Sequence, residues 1–166
     1  MLHIYCGDGK GKTTASIGLA ARMAGHGKKV LFAQFLKGAP TGETESIEKI
    51  GVTVIRCDRN YGFFISMNDC DKAEITKCHD ENLRYIFENM NSFDMIVLDE
   101  IFAAYNYNLV NRKMTEDIVN QYRGELVMTG REPEDRFIEK ADYVSEIKKI
   151  KHPYDKGIGA RAGIEF

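Results

Sequence analysis

The feature that most restricts this chain lies near its start. A short apolar run, Leu2-His3-Ile4-Tyr5, leads into Gly7-Asp8-Gly9-Lys10-Gly11-Lys12-Thr13-Thr14, and a helix-forming run continues from Lys12 to about Ala24. Strand, glycine-rich loop and helix in that order surround a phosphate group. Glycines let backbone N–H groups turn inward around an anion, and the helix start adds the positive end of its dipole. Lys12 brings a full positive charge to the outer phosphates. Thr13 offers a hydroxyl to a magnesium ion that bridges phosphate oxygens, and Thr14 supports the same anion. The usual G-x-x-x-x-G-K-[ST] pattern would place its first glycine on Cys6; here Gly7 comes one place late and Gly9 is additional. A tight turn that holds Gly-Lys-Thr by chance is the bland reading. Against it, strand, loop, lysine, threonine and helix all agree on phosphate binding.

Beyond the loop, strand-like and helix-like segments alternate, which argues for a mostly parallel central sheet flanked by helices, an α/β fold. The first helix carries Ile17, Leu19, Ala20 and Met23 and stops at Gly25-His26-Gly27. Strands are expected at 29–35, 52–56, 95–98, 125–128 and 143–147, and helices at 43–50, 71–90 and 115–122. The long helix has its apolar stripe at Leu83, Ile86, Phe87 and Met90. Pro133 suits the opening of another helix, since its missing N–H is unneeded there. The tail from Lys148 to Phe166 reads as extended or loop. With 166 residues and neither repeat nor linker, the expectation is one domain over residues 1–166.

Several side chains are candidates for the chemistry. Asp99-Glu100 closes the apolar strand Met95-Ile96-Val97-Leu98. Carboxylates at the carboxyl end of a parallel strand stand where such sheets bind ligands, and they can hold magnesium directly or through water. The competing role for Asp99 is a helix cap. Arg131 follows another strand end and either clamps a phosphate oxygen or is a solvated loop residue. Arg22 either reaches the nucleotide or lies on the solvated face of the first helix. Lys37, Thr41 and Glu43 surround a Gly/Pro loop after the second strand, the place for a substrate loop or a simple turn. Tyr61-Gly62-Phe63-Phe64-Ile65 could stack on a flat ligand or pack a long loop onto the core.

Composition removes other classes. The net charge is −2 and no basic stripe is present, so nothing draws the chain to nucleic acid. No apolar run approaches the ~20 residues of a membrane span. The start runs straight into the phosphate loop with no leader-like segment, so a cytoplasmic protein is expected. Cys6, Cys57, Cys70 and Cys78 match no zinc or C-x-x-C spacing, and unpaired thiols are expected. Cys78-His79 reads as a pair of buried or edge helix residues in preference to metal ligands. There is no convincing Ser-His-Asp or Cys-His set.

The ordered set of motifs resembles the ATP:corrinoid adenosyltransferases of the cobalamin pathway. The likeness runs from Gly7–Thr14, Arg22 and Gly25-His26-Gly27-Lys28 through Gln34-Phe35-Leu36-Lys37-Gly38 and Val97-Leu98-Asp99-Glu100. It continues with Thr129-Gly130-Arg131, Ala141-Asp142 and Lys151-His152 up to Gly163-Ile164-Glu165-Phe166. The family's own loop displaces its glycines in the same way. The resemblance implies a RecA-like P-loop fold, a homodimer and transfer of the 5′-deoxyadenosyl group of ATP to the Co(I) of a corrinoid, releasing tripolyphosphate. It implies a reduced flavoprotein as electron donor. It places Gly7 to Thr14 and Arg22 at ATP, Thr13 and Glu100 at Mg2+, and the region around Phe63 against the corrin ring; Arg131 and Asp99 are candidates for ATP and Mg2+ from their positions at strand ends. Two departures stand out: Ile65 replaces an aromatic the family often carries, and the family commonly has extra residues before the first strand. Competing expectations are a P-loop ATPase or kinase of other specificity and a non-enzymatic ATP-dependent binding module.

Overall fold

The computed structural model describes residues 1–39, 41–62 and 64–164. Six parallel strands, β1 (Leu2–Cys6), β2 (Val30–Gln34), β3 (Thr53–Arg56), β4 (Met95–Asp99), β5 (Glu125–Thr129) and β6 (Tyr143–Glu146), form one sheet. Their order is β3-β2-β4-β5-β1-β6. The crossovers hold helices α1 (Lys12–Gly25), α2 (Gly42–Glu48), α3 (Asp69–Asn89), α4 (Ile101–Asn106), α5 (Arg112–Gln121) and α6 (Asp135–Ile138). The α/β expectation holds. One strand, β5, separates the strand that ends in the glycine loop from the strand that ends in Asp99, the RecA-like arrangement.

Side chains alternate across each strand, and the two faces bury two cores. Leu31, Ala33, Ile96, Leu98, Leu126 and Met128 face Leu83, Ile86, Ile101, Phe102, Ile118 and Phe137, which come from α3 to α6. Val30, Phe32, Met95, Val97 and Val127 face Ala20 and Ile47 on the other side, with Ile17, Leu19 and Met23 of α1 packed around them. The apolar stripes read from the sequence on α1 and α3 are therefore the buried faces. Burial on both sides explains why β2 and β4 are continuous apolar runs. β6 differs, because it is an edge strand whose four residues are all exposed.

Helix boundaries moved where a cap decides them. α3 starts at Asp69 because Asn68 caps it: its side chain accepts the Asp71 N–H at 2.9 Å, and Asp71 accepts the Asn68 N–H at 3.3 Å. Asn111 caps α5 by its side chain alone, accepting the Met114 N–H at 2.9 Å, which brings the helix start forward to Arg112. Pro133 does not open α6; the helix begins at Asp135. A 3-10 turn at Pro153–Lys156 interrupts the tail.

The cysteine expectation needs correcting. Cys57, just after β3, and Cys78 on α3 are joined as a disulfide across a Cα–Cα distance of 6.0 Å, while Cys6 and Cys70 are free. The fold brings two residues 21 apart in sequence together, which spacing alone does not signal. His79 is buried and structural: its Nε2 accepts the Leu36 N–H at 3.1 Å, and its Nδ1 bonds the Leu109 carbonyl at 2.8 Å.

Candidate active site

The glycine-rich loop connects β1 to α1, and the structure explains the displaced glycines. A side chain on Gly9 would begin 2.6 Å from the carbonyl oxygen of Ile147, and one on Gly7 would begin 2.5 Å from it. Gly7 also has φ +99°, in the region that favours glycine. Both residues are therefore required by the close approach of the segment after β6. Gly11, at φ +116°, has open space around it and opens α1. Asp8 belongs to the same contact, accepting the Lys149 N–H at 3.0 Å, and this bond holds its carboxyl below the usual range. Lys10 reaches the tail, donating to the Ile164 carbonyl at 2.7 Å.

Lys12 is buried and donates to the Gly9 carbonyl at 2.8 Å. Burial pushes its ammonium below the ordinary lysine range, and the Glu100 carboxylate works against that shift. A cation with so little water around it is poised for an anionic partner.

The second wall comes from the end of β4. Asp99 is 0% exposed, accepts the Thr129 hydroxyl at 2.8 Å, and has Lys37 Nζ at 3.3 Å and Gln34 Nε2 at 3.4 Å. The same Thr129 oxygen accepts the Glu100 N–H at 3.0 Å. Glu100 takes φ +60°, a left-handed conformation for a residue with a side chain, and starts α4. The bond to Thr129 and this backbone twist set Glu100 beside the loop. Burial, then the neighbouring Asp99 charge, push the Glu100 carboxyl up; Lys37, Lys12 and Arg131 pull it down.

A cleft of about 570 Å³ gathers these groups. Asp8, Gly9, Lys10, Gly11, Lys12, Thr13, Thr14, Glu100 and Arg131 all line it; Gly7 is not among the lining residues and lies against Ile147. Arg131 is carried there by Gly130, which has φ +142° and no room for a side chain because the Phe102 Cβ would lie 3.0 Å away. Asp99 sits behind the wall. Arg22 is not brought there: it is exposed in the last turn of α1, about 15 Å of helix rise beyond Lys12. The lining also includes Lys37, Glu43, His152, Gly163 and Ile164. His152 and the tail stand out in the sequence only through the family resemblance; the register that brings Ile147 against Gly9 delivers them to the cleft.

Phe63 lies outside the described residues. Its neighbours favour packing: Phe64 stacks on Tyr107 at 4.1 Å, and Tyr61 and Phe64 border a small core of Met67, Ile75 and Leu109. Ile65 is 97% exposed. The loop after β2 meets this segment closely, since a side chain on Gly38 would overlap the Arg59 carbonyl, 1.8 Å away.

A family model of ATP:corrinoid adenosyltransferases (BtuR/CobO/CobP) matches residues 1–166. The chain belongs to this family. It is 32% identical to a corrinoid adenosyltransferase of Escherichia coli K12 and to corrinoid adenosyltransferase CobA of Salmonella typhimurium LT2, covering all of this chain and 85% of each relative. It is 35% identical to a corrinoid adenosyltransferase of a Sinorhizobium species, over all of this chain and 80% of that relative. In this chain the glycine-rich loop and Glu100, just after β4, line the cleft, with Asp99 buried behind.

Proposed function

We propose that this chain transfers the 5′-deoxyadenosyl group of ATP to the Co(I) of a corrinoid and releases tripolyphosphate. The observation that carries the reading is the cleft itself. It joins a buried lysine, a hydroxyl, a carboxylate and an arginine around a glycine loop, and among the described residues no hydrogen bond pairs a cleft hydroxyl with a basic side chain. Such a site binds and stabilises a polyanion, and the chemistry comes from its substrates. The cobalt electron pair forms the bond to C5′ as the C5′–O5′ bond breaks. The electrons of that bond leave with the tripolyphosphate, and no proton moves. The loop N–H groups and Lys12 hold the triphosphate and stabilise charge on the departing oxygen. Arg131 closes on the same polyanion from the β5 side. Arg22 touches the nucleotide only if substrate reaches the far end of α1.

Thr13 and Glu100 fit a magnesium ion: both offer hard oxygen atoms to one cleft, and among the described residues no donor bonds the Glu100 carboxylate. No cluster of three or more His, Cys, Asp or Glu among the described residues could hold a metal alone, so Thr13 and Glu100 would hold the ion together with the bound nucleotide. The ion supplies charge neutralisation on the phosphates. Asp99 supports this wall from behind.

Phe63 faces the corrin ring in this reading. The protein acts in the cytoplasm in adenosylcobalamin synthesis or salvage, as a homodimer that receives electrons from a reduced flavoprotein. The exposed edge strand β6, with Tyr143 and Val144 at its surface, supports pairing with a second copy. No helix among the described residues is long and apolar enough to cross a membrane.

Two variants test the division of labour. Lys12→Ala loses ATP affinity by roughly 10- to 100-fold, the loss expected for a charge-assisted bond of about 1.5–3 kcal/mol, and adenosylation falls with it. Phe63→Ala keeps ATP affinity and loses adenosylation. Normal ATP binding by Lys12→Ala, or unchanged turnover by Phe63→Ala, would contradict these roles.

A further inference from the structure

Lys37 stands apart from the other cleft residues because its direction is fixed from both ends. The turn that carries it is unusual: Leu36 has φ +58°, and its N–H is held by the buried imidazole of His79. On the other side, Gly38 runs against the Arg59 carbonyl with no space for a side chain. Between them the Lys37 side chain, 32% exposed, reaches from the cleft lining to the fully buried Asp99 carboxylate.

The surroundings of Asp99 do not need a lysine for neutral hydrogen bonding alone. Thr129 and Gln34 already donate to it, and Gln34 is itself buried with its Oε1 left without a partner. An ammonium has three N–H donors. Among the described bonds of Lys37, one goes to Asp99. The remaining donors are free to bond an anion in the cleft while the first stays in place, so no ion pair has to break when substrate enters. A tripolyphosphate leaving group carries more charge than the single lysine of a phosphate loop offsets. Lys12 lies on the α1 side of the cleft and Lys37 on the β2 side.

We infer that Lys37 is a second polyphosphate-binding cation of this site, and that Asp99 is the positioning residue that aims its ammonium into the cleft. This rests on the adenosyl-transfer reading for the identity of the leaving group, but polyphosphate binding itself is measurable without any corrinoid. In this role Asp99 acts on the substrate through Lys37.

The test is calorimetric titration of the full chain with inorganic tripolyphosphate and, separately, with ATP. Lys37→Met weakens tripolyphosphate binding by roughly 10- to 100-fold, as expected for loss of a charge-assisted bond. Lys37→Gln, which can still bond Asp99, serves as a second variant whose folding is checked by circular dichroism, and it shows the same direction of loss. Asp99→Asn lowers tripolyphosphate affinity when Lys37 is present and has little effect on affinity in the Lys37→Met background. Unchanged tripolyphosphate affinity in folded Lys37→Met or Lys37→Gln overturns the inference. An equal cost of Asp99→Asn in both backgrounds overturns the positioning role. If the wild-type chain binds tripolyphosphate through Lys37 yet adenosylates no corrinoid, the proposed reaction falls and this inference stands.

Discussion

The N–H of Gly9 donates to the carbonyl of Ile147 at 2.7 Å, so the glycine-rich loop is bonded to the segment that leaves the last strand. The loop thus lines the cleft on one side and is backed on the other by the chain's own segment after β6. That second surface fixes which loop positions must be glycine.

Gly9→Ala should therefore be costly. Its Cβ would sit 2.6 Å from a backbone oxygen that cannot swing away, and 2.8 Å from the Ile147 Cγ2. We expect a loss of about 1–3 kcal/mol, the usual cost of overpacking, and weaker ATP binding as the loop shifts. Gly18→Ala should have the opposite sign. Gly18 lies exposed within α1 with nothing near its absent Cβ, and alanine there gains about 0.5–1 kcal/mol. Urea denaturation of both variants checks the pair; a Gly9→Ala protein as stable as the wild type would contradict the contact.

Much of this was legible in the sequence because it depends on local chemistry. The order of strands and helices followed from apolar periodicity, and motif and strand-end position alone pick out Asp8 to Thr14, Glu100 and Arg131, which the fold gathers around one cleft. What the sequence hid depends on distant contacts. α4 is only six residues long, and its cap is the left-handed Glu100, one residue after Asp99, the cap the sequence offers and the last residue of β4. Lys37 fits a substrate loop or a simple turn equally well until β2 and β4 pair and put it beside Asp99. His152 joins the cleft through a tail with no periodic signal. Arg22 was chosen by resemblance, and the length of α1 carries it away from the cleft.

His79 gives a pH dependence of stability. The Leu36 N–H must donate to Nε2, so the proton sits on Nδ1 and faces the Leu109 carbonyl. A second proton on Nε2 would oppose the Leu36 N–H. Burial accordingly pushes the imidazole down to about 4 from an ordinary 6.5. Because the folded value lies below the unfolded one, the unfolded chain binds more protons between them. Stability should fall as pH drops from 6.5 toward 4, by up to roughly 3 kcal/mol from this group, with no contribution above that window. His79→Gln should be less stable at neutral pH and show a shallower acid slope in denaturant titrations. An unchanged slope would contradict the assignment.

The Cys57–Cys78 bond closes a segment that includes the whole 58–68 loop. Reduction should lower stability by about 3 kcal/mol, from the chain entropy of a loop this size. Denaturation with and without dithiothreitol, using Cys57→Ser as the control that no longer responds, measures it. Equal midpoints in both conditions would contradict a formed disulfide.

The central claim is that the cleft holds a triphosphate as a leaving group. The most direct measurement incubates the wild-type chain with ATP, magnesium and chemically reduced cobalamin, then follows both the corrinoid spectrum and the phosphate products. The expected result is the adenosylated spectrum and one tripolyphosphate for each corrinoid converted. ATP consumption that yields ADP and orthophosphate, with no adenosylated corrinoid, would contradict it.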